Sequence, residues 1–149
     1  MSRPAILTLA AAGLVAFVVV SLTLARWLST ENDERDAVYA VLTAQARGDA
    51  SGMLARLDGC AGDQGCASAV RRNAGRLRRA GEVKILAYDS ATSYALGPAH
   101  GPTRVAWTVV DRGLPVVQCV DVDRSGSVLT GRTITLRRVS LPIDRQSSC

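Results

Sequence analysis

ENDERDAVYAVLTAQARG, residues 31 to 48, begins in charge, ends on glycine, and between them sets Val38, Val41, Leu42 and Gln45 at helical spacing. Thr30, three residues before Asp33, is a candidate N-cap, and Gly48 is a candidate stop. No Gly or Pro lies between Leu14 and Arg47, so nothing upstream forces a break and one near-continuous helix is expected. Asp49 then caps a short second helix in SGMLARL.

Upstream lies AILTLAAAGLVAFVVVSLTL, residues 5 to 24, without a charged residue. Its length matches a hydrocarbon core of about 30 Å at about 1.5 Å per residue, whereas a cleaved signal has an apolar region of roughly 7 to 15 residues. The expected organisation is a short cytoplasmic tail over 1–4, a single-pass transmembrane signal-anchor over 5–27, and an α+β domain over 30–149. No cysteine follows the apolar run until Cys60, which argues against a lipoprotein. Arg3 on one flank and Arg26 with Arg35 on the other leave orientation open by charge alone.

The cysteines bear on orientation. There are four, an even number behind an export-type segment, which fits a disulfide framework outside the cytoplasm. Cys60 and Cys66 enclose AGDQG, a small-residue loop short enough to staple; Cys119 and Cys149 would then tie the last residue to the body. Spacing leaves all three connectivities open. A zinc site wants paired C-x2-4-C ligands and a redox site C-x-x-C, and neither spacing occurs.

CASAVRRNAGRLRRAG, from Cys66 to Gly81, reads as a third helix. Ala67, Val70, Ala74 and Leu77 share one face, and Arg71, Arg72, Arg76, Arg78 and Arg79 the other. The ordinary reading of the arginines is a solvated face; the sharper one is a surface for anionic lipid or an acidic partner. After Gly81 the period changes. EVKILAYDS, ATSYALG, RVAWTVVDRG, PVVQCVDVDRSG and GRTITLRRVSLPI predict four to five antiparallel strands, with Val105, Trp107 and Val109 on one face and Val117 and Cys119 on another.

Composition narrows the function. Hydrophobic residues make up 48% and aromatics 4%, leaving little for stacking bases or sugars. Setting aside Arg3 and Arg26, residues 31 to 149 hold 16 basic and 13 acidic groups, a balance of about +3 and too weak for a dedicated nucleic-acid binder. DVDRSG, residues 121 to 126, imitates the opening of a calcium loop, but Arg132 stands where the bidentate glutamate belongs; a hairpin turn with Gly126 at positive φ is the better account. His100, in GPAHGP, reads as an exposed loop histidine without a relay. No catalytic residue, metal site or cofactor is assigned.

The order helix, ARGD turn with a small helix, third helix, then strands resembles the nuclear transport factor 2-like superfamily over residues 31 to 141, on element order and AQARGDASGMLARL. The resemblance implies a cone, with about three helices packed on a curved, mostly antiparallel sheet. Enzymes of that superfamily place an acid or histidine inside the cone, and Asp89, Asp111, Asp121 and Asp123 are expected at strand ends or turns instead. The layout is also similar to membrane-anchored actinobacterial members such as Mce-associated proteins, which act by assembling partners. The expected function is therefore a non-enzymatic, extracytoplasmic domain at the cell membrane that binds or scaffolds envelope components, with an envelope protein or anionic lipid as partner. The alternative is a small-ligand-binding or cyclase/isomerase-like pocket protein.

Overall fold

The computed structural model describes the backbone of all residues except 1, 2, 94, 96, 111 and 128–130, and of the remainder the side chains of all but 3–10, 26–31, 112, 127 and 131. Among the described residues three helices precede four strands: α1 (Arg3–Arg47), α2 (Ala50–Leu54), α3 (Gln64–Arg76), β1 (Val83–Ser90), β2 (Ala99–Val109), β3 (Arg112–Ser127) and β4 (Gly131–Val139). The strands form one antiparallel sheet in sequence order, so the expected α+β class with an antiparallel sheet is correct. Each ladder carries a register shift, at Ile85/Ala87, Trp107/Val109 and Asp121/Val122, and such bulges bend strands and deepen their twist.

The helices cover one sheet face. Helix α1 packs against α2, α3 and both edge strands β1 and β4, so it lies across the sheet. Val38, Val41, Leu42 and Gln45 are all fully buried there, as their spacing predicts, and Ala67, Val70 and Ala74 of α3, with Leu77 at its C-cap, are buried beside them. From the sheet, Val105, Trp107 and Val109 of β2 and Val116, Val120 and Val122 of β3 complete the core. Gly48 ends α1 at φ 77°, and the Asp49 carboxylate accepts from the Gly52 N–H at 2.8 Å to start α2.

The anchor is corrected. Among the described residues no helix is long and apolar enough to cross a membrane. Residues 3–10 and 26–27, which the expected tail and anchor include, lie outside the described side chains. Helix α1 runs unbroken through residue 30, so no helix begins at the expected cap.

Three local expectations also shift. Of ATSYALG, Tyr94 and Leu96 lie outside the described residues and the others are not strand: Ser90 and Thr92 hydroxyls meet at 3.0 Å, Ser90 Oγ accepts the Thr92 N–H, and Ser93 Oγ donates to Ser90 O, closing a turn after β1. Strand β2 starts at Ala99, so Gly101 and Pro102 are strand residues. A Cβ at Gly101 would meet Ala91 Cβ at 3.0 Å, a tight contact that the turn after β1 would have to accommodate. Helix α3 stops at Arg76 rather than Gly81, because the Arg79 N–H donates to Ala46 O at the end of α1.

Both disulfides form, Cys60–Cys66 and Cys119–Cys149, and they use all four cysteines. Beyond β4 the tail continues along β3, with Ser140 N–H to Cys119 O at 2.8 Å and Ile143 N–H to Val117 O at 2.9 Å. This buries Val117 on the sheet face opposite the helices. Closing the longer loop removes more unfolded-state entropy. Replacing Cys119 and Cys149 by Ala should cost about 3–4 kcal/mol and replacing Cys60 and Cys66 about 2 kcal/mol in urea unfolding. Equal costs, or the reverse order, would show that the tail is not held as described.

Candidate functional site

Glu34 is the deepest ionisable group among the described residues, with none of its surface exposed. It sits four residues before Val38 on the buried stripe of α1, and one strand after another reaches it. Tyr88 of β1 and Thr103 of β2 each donate a hydroxyl to Oε1 at 2.7 Å. Thr92, in the turn after β1, donates to Oε2 at 3.0 Å; Arg124 of β3 donates to the same oxygen from Nε at 2.8 Å and Nη2 at 2.5 Å. A carboxylate has about four lone-pair sites, so this one is saturated. Arg35 completes the surroundings, with its guanidinium 6.0 Å from the Tyr88 ring centre.

Burial by itself pushes the Glu34 carboxyl up, but hydrogen bonds from Tyr88, Thr103 and Arg124 together with the guanidinium charge outweigh it, and the group lies below its ordinary value. Burial, then the bond to Glu34, pushes the Tyr88 phenol up. Both shifts keep the proton on tyrosine and the charge on Glu34. The arrangement holds an anion in place; it does not offer a base.

A second buried node lies deeper along α1. Gln118 Oε1 accepts from Trp107 Nε1 and Gln45 Nε2, both at 2.8 Å, and Gln118 Nε2 donates to Ser140 O at 2.8 Å. Asn73 of α3 donates to that same carbonyl at 2.9 Å. Trp107 is thus a core residue with its one polar atom satisfied.

His100 is not an isolated loop residue. The β2–β3 register places it opposite Asp123, and its Nδ1 pairs with Asp123 Oδ1. Arg137 of β4 donates Nε to the other Asp123 oxygen at 2.5 Å and Nη1 to Asp58. The Arg137 bond, then the His100 bond, lowers the Asp123 carboxyl below its ordinary value. Two clefts share His100 and Arg137: one of about 420 Å³ that includes Ser125 and Thr135, and one of about 310 Å³ beside the Cys60–Cys66 disulfide. Asp121 and Asp123 lie within β3 rather than at a turn, and DVDRSG is strand, although Gly126 does take φ 83°. Among the described residues no group of three or more His, Cys, Asp or Glu could hold a metal.

The structure does not bring the proposed arginine surface to the other candidate residues. Arg71, Arg72, Arg76 and Arg78 are exposed, while Arg79 is half-buried and donates to Leu114 O at 3.1 Å. Sequence reading missed Glu34 and Arg124. The signal was present: an acid continuing the apolar stripe of α1, and Arg124 on the same alternate positions of β3 as Val120 and Val122. Comparison with protein-family models, with curated proteins and with solved structures finds no match to this chain.

Removing one member of a buried pair leaves a charge unpaired, so Glu34→Gln should cost about 3–5 kcal/mol, whereas Glu34→Leu with Arg124→Met should fall much nearer wild type. Because the folded carboxyl lies below its ordinary value of 4.5, its contribution is complete above that value and is lost as pH falls through the lower folded value. The gap in urea midpoint between wild type and Glu34→Gln should therefore narrow as pH falls from 7 to 3. A constant difference would place the acid sensitivity elsewhere.

Proposed function

We propose that the chain is a non-enzymatic, extracytoplasmic domain that binds or scaffolds protein components of the cell envelope. The observation that carries this reading is the Glu34 centre. The fully buried acid in the helix–sheet interior, where a catalytic base of a cone-shaped enzyme would stand, is committed to Arg124 and three hydroxyls. Two disulfides that use all four cysteines support an oxidising compartment. The helix-then-sheet order supports kinship with the nuclear transport factor 2-like superfamily, in which such members assemble partners.

One observation favours the pocket reading. His100 is oriented by Asp123 on the wall of the larger cleft, a pairing that would suit a general base. That cleft is open, and its lining holds no aromatic residue to grip an apolar ligand.

Photo-crosslinkers placed singly at Phe17, Tyr39, Arg72, His100, Leu114 and Arg145 of the full chain, in intact cells of the source organism, should capture one reproducible envelope protein. His100→Ala should leave that capture unchanged. Failure at every position would overturn the scaffolding reading, and loss on His100→Ala would move the site to the clefts.

A further inference from the structure

Helix α3 carries Arg71, Arg72 and Arg76 and no acid, and Arg78 follows directly. These four guanidiniums make no hydrogen bond or ion pair among the described residues. The nearest acids in sequence do not neutralise them: Asp63 caps α3 through the Cys66 N–H and bonds Arg138, and Glu82 lies beyond the helix. The negative end of the helix dipole accounts for Arg76 in the last turn, but not for Arg71 and Arg72 in mid-helix.

The end of α3 is fixed in place. A Cβ at Gly48 would meet Arg78 Cδ at 3.0 Å, so the Arg78 stem lies against the end of α1, and the Arg79 N–H bonds Ala46 O. The turn between β2 and β3 arrives at the same end: Arg79 holds Leu114 O, and the Val110 N–H bonds Glu82 O. Leu114 is 68% exposed and Val110 43%. Two aliphatic side chains in water next to a row of unneutralised arginines form a surface with both halves of an interface: apolar contact and charge that selects its partner.

We propose that this surface, made by Arg71, Arg72, Arg76 and Arg78 with Leu114 and Val110, docks an acidic segment of a partner protein that carries aliphatic side chains among its carboxylates. The inference rests on the binding role proposed above and names the partner's chemistry. Its position in the fold favours protein over an anionic lipid surface. Residues 46–48, against which this end of α3 packs, stand about 34 Å along α1 from Leu24, one of the large exposed apolar residues described on its outer part, so one flat surface would not meet both.

The test uses the full chain and a fluorescein-labelled synthetic peptide of alternating Glu and Leu, read by anisotropy at several salt concentrations. Saturable binding is expected that weakens at least about tenfold in R71Q/R72Q/R76Q/R78Q and several-fold in L114S, and that weakens with salt. R145Q, which removes a charge from the tail, should leave it unchanged. Circular dichroism and melting of each variant separate lost binding from lost folding, and L114S alone keeps the test open if the quadruple variant does not fold. Equal binding by a Ser-for-Leu peptide or by R71Q/R72Q/R76Q/R78Q overturns the proposal. So does binding only to phosphatidylglycerol vesicles. A partner captured in cells at other positions but not at Arg72 or Leu114 overturns this inference and leaves the scaffolding role standing; peptide binding with no partner captured does the reverse.

Discussion

The Glu34–Arg124 pair is the interaction on which the rest of the domain depends. Two opposite charges fully out of water are tolerated only when each is hydrogen-bonded. Glu34 is bound by side chains from β1, β2, β3 and the turn after β1, so its satisfaction requires α1 to sit at one height and one rotation on the sheet. Apolar packing by valines and leucines would allow a helix to slide or turn by small amounts; a saturated carboxylate does not. The glutamine and tryptophan node around Gln118 repeats the logic further along α1 and draws in α3 through Asn73.

The opposite face of the sheet is fixed by other means. Cys119 and Val117 point away from the helices, and the tail from Ser140 to Cys149 covers them through backbone bonds and a disulfide. Arg104 of β2 donates to Ser147 O at 2.9 Å and to Arg145 O, so the tail is held along its length and not only at its last residue. A small core with one phenylalanine in the whole chain gains from this, since covalent closure adds what a modest apolar area cannot.

This division of labour shapes the functional reading. Most interior polar groups are matched to one another, although Thr43 Oγ1, Asn73 Oδ1 and Arg132 Nε and Nη1 are buried without a hydrogen-bond partner among the described residues; on the surface, the arginines of α3 and the aliphatic residues of the β2–β3 turn face solvent. Inside the fold, the deepest acid among the described residues, Glu34, is bound on both carboxylate oxygens. The surface proposed above for a partner lies outside that interior.

Much of the architecture was legible in the chain. The 3.6-residue stripe through Val38, Val41, Leu42 and Gln45, the Asp49 cap, the Gly48 stop, the alternation through Val105, Trp107 and Val109, and the even set of cysteines each report a local rule, and local rules are written in sequence. The apolar run over 5–24 obeyed such a rule too, yet no helix among the described residues is long and apolar enough to cross a membrane. What the chain could not show was registry. His100 meets Asp123, and Glu34 meets Arg124 ninety residues away, only because strand pairing and helix placement bring them together. Sequence alone determined which apolar stripes go inside and where α1 gives way to α2; the tertiary structure decided which polar groups are buried and face each other, because a buried charge chooses its partner by distance in space.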